Sequence, residues 1–181
     1  MTEQGILNLI SEDDWMMNIL RIAENLNLPD WAIGAGFVRN KVWNYLHGYN
    51  KKTVDTSDVD LVYYDPNGND EKDDERLSEQ LKKETGIAWE VVNQFYAHKW
   101  NNLAPYMSTE DAISQWPETV TGIGVKLENG SLKLIVPNGI DDLVNLVIRP
   151  SPKFIENLER VRKRVEEKRW LEKWPKLKFV D

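Results

Sequence analysis

One stretch of the chain, residues 31–65, restricts the fold most, because its sequence predicts where each strand, turn and helix begins and ends. A short apolar run at 31–33 predicts a buried strand, and the letters GAG that follow predict a turn. Apolar residues at helical spacing then predict a helix over 37–46. After a polar stretch, the letters DVDLVYYD predict a strand rich in β-branched and aromatic residues. A strand, a turn, a helix and a second strand in such close succession indicate an α+β fold.

The remaining sequence adds helices, a hairpin and few strands, and we interpret 1–181 as a single domain. Its core is expected at about 11–100 and an elaboration at about 101–181. Ser11 is expected to cap the first helix, and Ser151 to cap the last long one. Predicted helices cover 11–26, 70–85, 94–103, 108–115, 138–147 and a segment from about 152, and predicted strands cover 87–92, 119–127 and 131–136.

Composition excludes some classes of protein. The chain has no Cys, which rules out disulfide scaffolds and Cys-based metal sites. The first residues have neither the basic start nor the long apolar stretch of a secretory signal, and no apolar run is long enough to cross a bilayer. We therefore expect a cytoplasmic protein without a membrane partner.

Charge is unevenly distributed along the chain. Residues 149–181 hold 11 Lys/Arg and 6 Asp/Glu, whereas the rest carries a net charge of −12. An acidic body disfavours a large nucleic acid partner. We interpret the basic segment as a solvated helix face, in preference to a nucleic acid contact, and the acidic run at 70–75 also as a solvated face.

The strongest candidates for chemistry are Asp58 and Asp60, at the start of the predicted strand. Side chains two residues apart on a strand point the same way, so the two carboxylates can share a metal ion. Mg²⁺ prefers such oxygen ligands, completed by phosphates and water. Alone, a D-x-D pattern is weak evidence, because acids at strand ends are common. The pattern gains weight from the turn that precedes it.

That turn predicts a binding site for phosphate. The N-terminus of the helix after it offers free N–H groups and a positive dipole end. Gly34 and Gly36 permit a ligand to approach the backbone closely. Arg39, in the first turn of the helix, offers a forked donor for phosphate oxygens. An anion site followed by a metal site is what a nucleoside triphosphate with its magnesium requires.

These motifs resemble a known superfamily. The letters GAGFVRN followed by SDVDLVYY are similar to the nucleotidyltransferase fold of the DNA polymerase β superfamily. The letters AGFVRN resemble the G-G-x-V-R-D signature of the enzymes that add CCA to transfer RNA, with Ala35 in place of the first Gly and Asn40 in place of Asp. Four further segments, VWNYLHG, VVNQFYAHKWNN, AISQWPETVTGIGVKL and DDLVNLVIRP, resemble a bacterial family of nucleotidyltransferase-like proteins, and this likeness covers about 28–175.

The resemblance implies a polymerase β-like core, with a small mixed sheet, helices packed on it and a C-terminal helix. It implies that Asn40 and Ser57, within the matched motifs, contact the nucleotide. The superfamily generally uses a third carboxylate, for which Glu90 is one candidate and Asp65 the other. It implies Mg²⁺, or Mn²⁺, as the cofactor, and it gives no acceptor.

Asn93, Gln94 and His98 match the family's N-Q-x-x-x-H stretch. One interpretation places them at the substrate. The other is that they cap a helix and satisfy buried backbone groups.

The functional hypothesis is an enzyme that transfers a nucleoside monophosphate from a nucleoside triphosphate to an unknown hydroxyl acceptor. The alternative is a catalytically inactive nucleotide-binding or interaction module on the same fold. A D-x-D glycosyltransferase is disfavoured, because the sequence shows no dinucleotide-type half-domain. The sequence does not indicate the oligomeric state.

Overall fold

The computed structural model describes residues 1–49, 58–68 and 71–180. Helices and strands are interspersed along these segments. In chain order they are α1 (Glu3–Ser11), α2 (Asp14–Asn25), β1 (Ala32–Gly34), α3 (Gly36–Leu46), β2 (Val59–Tyr63), α4 (Glu71–Thr85), β3 (Trp89–Asn93), α5 (Gln94–Ala97), α6 (Thr109–Ser114), β4 (Gly124–Glu128), β5 (Ser131–Ile135), α7 (Asp141–Val144), β6 (Val147–Ile148), α8 (Leu158–Glu167), α9 (Trp170–Lys173) and β7 (Lys178–Phe179). None of the described helices combines the length and the apolar character that crossing a membrane requires.

Five of the strands form one mixed sheet in the order β3-β2-β1-β4-β5. Within this sheet, as far as the structure describes it, β2 and β3 are the parallel pair, and α4 connects them as a crossover helix. The pairs β1–β2, β1–β4 and β4–β5 are antiparallel, and β4 and β5 form the predicted hairpin around Asn129-Gly130. The α+β class and the small mixed sheet are confirmed.

The C-terminal segment packs back onto α3. The Trp43 ring lies 5.5 Å from that of Trp170 and 5.1 Å from that of Trp174, both at steep angles that favour edge-to-face contact. The indole N–H of Trp174 also donates to Asn44 Oδ1 at 2.8 Å. Thus the last helices of the chain are fixed against the helix that follows the glycine turn.

Several predicted boundaries were wrong. Ser11 ends α1, an unpredicted helix, and it is Asp13 that caps α2 by accepting from the backbone N–H groups of Trp15 and Met16. Ser151 does not cap the last long helix, because α8 begins only at Leu158, after a short 3-10 turn. The two wrong predictions have the same cause. Ser and Asp are both favourable N-cap residues, and the spacing of apolar residues does not determine which of several candidates caps the helix.

Two further predicted helices are shorter than expected. The helix predicted at 138–147 covers only Asp141–Val144, and the short strand β6, which follows it, pairs in parallel with β7. The helix predicted at 94–103 is the single turn α5 followed by a 3-10 turn at His98–Asn101. Contacts with residues distant in sequence determine where such short elements begin and end, so local periodicity does not predict their bounds.

Asp74 corrects the interpretation of the acidic run at 70–75 as a solvated face. Its side chain is 2% exposed and accepts hydrogen bonds from the hydroxyls of Tyr63 (2.6 Å) and Tyr96, and from the backbone N–H of Asn93 (2.7 Å). One carboxylate on α4 therefore joins the ends of β2 and β3 and the start of α5. Because β2 and β3 carry the acidic residues of interest, Asp74 helps to fix their pairing.

We predict that Asp74→Ala lowers the free energy of unfolding by about 3 kcal/mol, since three buried donors lose their acceptor. Urea denaturation measures this. Asp73→Ala is the matched control, because Asp73 is 39% exposed and pairs with the exposed Arg76 at 2.8 Å. The control should change stability by less than about 0.5 kcal/mol. Equal effects of the two variants would contradict the role of Asp74.

Ala35, the residue before α3, has an unusual backbone conformation. Its φ is 51° and its ψ is −121°, a region that glycine adopts easily and alanine does not. The turn is held nonetheless, because the Ala35 N–H donates to the Ile123 carbonyl at 3.0 Å and its own carbonyl accepts from the Arg39 N–H at 3.1 Å. In the G-G-x-V-R-D signature this position is the first glycine. A glycine here would adopt the positive φ without the strain that Ala35 carries.

We predict that Ala35→Gly raises the free energy of unfolding by about 1 kcal/mol, because relief of the positive φ outweighs the added freedom of the unfolded chain. Thermal and urea denaturation check the sign. Ala112→Gly, within α6, should instead lower stability by about 1 kcal/mol. A loss of stability in both variants would show that Ala35 is not strained.

Candidate active site

Three carboxylates meet on one face of the β2–β3 pair. Asp58 directly precedes β2, Asp60 lies within it, and Glu90 is paired with Asp60 on parallel β3. Alternation along the strand turns Asp58 and Asp60 the same way, and the register places Glu90 beside them. One oxygen atom from each of the three lies within 4.8 Å of the other two. We call this group the carboxylate triad.

Asp65, the other candidate for the third acid, is not part of the triad. Its Oδ1 accepts from the backbone N–H of Asn67 at 2.9 Å, in the turn that follows β2. This is the usual way in which an aspartate stabilises a turn.

Burial and the neighbouring carboxylates both act on the ionisation of Asp60. Burial, followed by the charges of Asp58 and Glu90, raises the pKa of Asp60 to about 7, and the charges of Arg39 and Lys168 act weakly in the opposite direction. Three convergent carboxylates are a donor set for a hard divalent cation, because such an ion relieves the repulsion between their charges. The residues present therefore fit Mg²⁺ or Mn²⁺, as the sequence predicts.

A cavity of about 470 Å³ lies beside the triad, within the usual size range of small-molecule sites. Ala35 and Gly36, at the N-terminus of α3, form part of its wall, together with Asn40. The structure thus brings the glycine turn and the carboxylates to one cavity, as the sequence predicts. Gly34 has a different role: a Cβ there would lie 2.7 Å from the Trp116 ring, so this glycine makes room for an aromatic side chain that lines the cavity.

Arg39 lines the same cavity although it is only 6% exposed. Its guanidinium carbon lies 4.2 Å from the centroid of the Trp170 ring and 5.2 Å from that of Trp43. Its Nη1 donates to Thr121 Oγ1 at 2.8 Å, and its Nε to Asn40 Oδ1 at 3.2 Å. Burial lowers the pKa of Arg39 to about 10, which leaves it positively charged at neutral pH. Arg39 is thus a fixed cation in the cavity wall.

The cavity also has walls that the sequence did not predict. Basic side chains from the C-terminal segment line it, namely Arg160, Arg164, Lys168 and Lys173. Aromatic side chains line it as well, namely Trp100, Tyr106, Trp116, Trp170 and Trp174. Arg160, Lys168 and Lys173 are exposed, as is Lys163, so they agree with the interpretation of a solvated helix face, whereas Arg164 is half-buried. The excess of basic residues at 149–181 is the sequence feature from which these basic lining residues could have been predicted.

Of the three residues in the N-Q-x-x-x-H match, only Gln94 lines the cavity. Asn93 is fully buried: its Nδ2 donates to the Asp65 carbonyl, and its Oδ1 accepts from the backbone N–H groups of Asp65 and Phe95. His98 lies outside the cavity wall, with Nδ1 3.0 Å from the Phe95 carbonyl oxygen. Asn93 therefore matches the structural interpretation. Ser57 lies outside the described residues.

A family model described as a nucleotidyltransferase matches residues 21–179. No curated protein matches the chain significantly. Among solved structures, one determined by NMR and described as revealing a CCA-adding enzyme head domain is 35% identical, with a TM-score of 0.88 over 99% of this chain and 96% of its own.

Longer structures share the fold at lower identity. A CCA-adding enzyme in complex with ATP is 16% identical, with a TM-score of 0.62 over 97% of this chain and 43% of its own. The Thermotoga maritima CCA-adding enzyme complexed with tRNA is 15% identical, with a TM-score of 0.61 over 97% of this chain and 42% of its own. This chain spans less than half of the length of these two enzymes, and at such identity the likeness shows the fold alone.

The structural likeness therefore confirms the polymerase β-like nucleotidyltransferase fold that the sequence motifs suggest. Because the family model extends over nearly the whole chain, from residue 21 to residue 179, the protein belongs to this nucleotidyltransferase family and is an enzyme of that class.

Proposed function

We propose that the enzyme transfers a nucleoside monophosphate from a nucleoside triphosphate to a hydroxyl group, with Mg²⁺ or Mn²⁺ held by Asp58, Asp60 and Glu90. The convergence of these three carboxylates beside the N-terminus of α3 is the observation that carries the proposal. It supports an active enzyme over an inactive nucleotide-binding module, because binding alone does not require three mutually repelling acids in one place.

Each part of the cavity has a role in this proposal. The backbone at Gly36 and the N-terminus of α3 bind the β- and γ-phosphates, and Arg39 donates to their oxygens. Asn40, whose Oδ1 accepts from Arg39 Nε, keeps that side chain in place. Gln94, 3% exposed in the cavity wall, offers an amide to the substrate.

The reaction is an in-line substitution at the α-phosphorus. The acceptor oxygen forms a new bond to phosphorus while the bond to the bridging oxygen of the β-phosphate breaks, and pyrophosphate leaves with the electron pair. When bound, the divalent cation stabilises the entering and leaving oxygens. Glu90, the most exposed member of the triad, receives the proton of the attacking hydroxyl. The acceptor itself is a small molecule or another hydroxyl compound that the cavity does not identify.

Glu90 and Asp65 are the two candidates for the third acid, and substitution of each tests which one is needed for activity. Glu90→Gln, like Asp58→Asn and Asp60→Asn, should lower pyrophosphate release from a nucleoside triphosphate by at least about 100-fold, with Mg²⁺ present and water as the hydroxyl acceptor, because metal and base function are lost. Asp65→Asn should retain activity within about threefold, since Asp65 only stabilises a turn. Pyrophosphate release with each of the four nucleotides, with and without Mg²⁺, measures this. Full activity in an Asp58→Asn, Asp60→Asn double variant would overturn the proposal.

The raised pKa of Asp60 predicts a dependence of stability on pH. In the unfolded chain this carboxyl ionises near its ordinary pKa of 3.8, whereas in the folded protein it ionises near 7. Without divalent ions, the cost of ionising Asp60 in the folded state therefore appears above pH 4 and is complete above pH 7. Asp60→Asn removes this cost.

We predict that metal-free Asp60→Asn has the same stability as the original protein near pH 4 and exceeds it by a few kcal/mol, at most about 4, at pH 8. For the original protein, Mg²⁺ should raise the melting temperature more at pH 8 than at pH 5.5, because protons compete for the same carboxylate. Melting curves across this range, with EDTA or Mg²⁺, provide the measurement. A stability difference between the two proteins that does not vary with pH would contradict the assignment.

A further inference from the structure

A buried carboxylate, Glu118, connects two cationic side chains of the cavity. Glu118 is 0% exposed, and its two oxygens accept from different donors. Oε1 accepts from Arg164 Nε at 2.9 Å, and Oε2 accepts from Thr121 Oγ1 at 2.7 Å. Thr121 Oγ1 in turn accepts from Arg39 Nη1 at 2.8 Å. One acid beneath the cavity wall therefore fixes Arg164 on α8 directly and Arg39 on α3 through a hydroxyl.

This arrangement restricts side chains that are ordinarily flexible. An arginine loses rotamer entropy when it is ordered on binding a ligand, and a fixed guanidinium has already lost it. The Arg39 guanidinium also lies against two indole rings, those of Trp43 and Trp170. The Arg164 side chain is 33% exposed, so donors not used by Glu118 remain accessible from the cavity.

The charges around the cavity indicate what this wall binds. Among the described residues, the lining holds five basic and three acidic side chains, and the acidic ones are the triad. A divalent cation on the triad neutralises most of the acidic charge and leaves the basic side chains in excess. A ligand with several negative charges, close to the triad, balances that excess. Lys168 lies near enough to the triad for its charge to act on Asp60.

We infer that Arg164 and Lys168 of the C-terminal segment bind the polyphosphate of the nucleotide together with Arg39, and that Glu118 is the residue that positions the two arginines. This rests on the proposed use of a nucleoside triphosphate, and it adds a wall of the site that the glycine turn does not supply. The competing occupant is the phosphate backbone of an RNA acceptor, which the same cations could contact.

Inorganic tripolyphosphate with Mg²⁺ is the probe, because it lacks both base and acceptor. Titration calorimetry should show that Arg164→Ala weakens its binding about 10- to 100-fold, the usual effect of removing charge-assisted hydrogen bonds. Lys163→Ala is the matched control: it removes one positive charge from the adjacent position, where Lys163 pairs with Glu167 at 3.7 Å away from the cavity. The control should change binding by less than twofold. Equal weakening by the two variants would overturn the inference.

The same variants distinguish the RNA alternative. A single-stranded RNA oligonucleotide replaces tripolyphosphate as the probe. If Arg164→Ala weakens RNA binding but leaves tripolyphosphate binding unchanged, the inference is wrong, and the basic side chains bind an RNA acceptor instead of the nucleotide. If it weakens tripolyphosphate binding, the assignment to the nucleotide holds.

Glu118→Gln tests the positioning role, because it keeps the shape of the side chain and removes its charge. The KM for the nucleotide should rise about tenfold while kcat changes less than about threefold, since the arginines lose their anchor but the triad is untouched. Arg164→Lys should restore part of the tripolyphosphate affinity lost in Arg164→Ala. A Glu118→Gln protein with lower thermal stability but unchanged KM and tripolyphosphate affinity would show that Glu118 is only structural.

Failure of this inference is distinct from failure of the proposed function. Tripolyphosphate binding needs no turnover, so it is measurable even in a protein that releases no pyrophosphate. Loss of activity in the triad variants with equal binding by Arg164→Ala and Lys163→Ala would preserve the proposed reaction and reject the basic wall.

Discussion

The parallel pairing of β2 with β3 is the constraint on which the rest of the structure depends. This register alone places Glu90 beside Asp60, and a slip of one residue would turn Glu90 to the opposite face. The pairing must hold although burial and the neighbouring carboxylates raise the pKa of Asp60. Asp74 supports it from α4, because it accepts from groups at the ends of both strands. Buried polar contacts around the triad thus help to hold it together.

The basic wall of the cavity depends on the C-terminal segment. Trp170 and Trp174 fix this segment to α3 by contacts with Trp43, and the Trp170 ring also lies against the Arg39 guanidinium. An elaboration outside the predicted core therefore completes the site. The arrangement brings acidic and basic groups to one cavity, as binding of a metal ion together with a polyanion requires.

The sequence predicts the acidic side of this site better than the basic side, for physical reasons. Asp58, Asp60 and the glycine turn are close in sequence, and local alternation determines how they face. Glu90 could be proposed only with the superfamily resemblance, because its distance from Asp60 depends on which strands pair. Glu118 and Arg164 are 46 residues apart, and no local pattern distinguishes a buried Glu from a solvated one. The same limit explains why Asp74 was interpreted as solvated.

The central claim is that the triad binds a divalent cation next to the nucleotide. Paramagnetic broadening by Mn²⁺ in NMR spectra of the labelled protein tests it most directly, because the effect falls steeply with distance from the ion. With a non-hydrolysable nucleoside triphosphate present, amide signals of β2 and β3 around Asp60 and Glu90, and that of Gly36, should broaden first. In Asp60→Asn, the same signals should no longer broaden. Broadening first at the exposed acids of α4, or equal broadening in Asp60→Asn, would contradict the account.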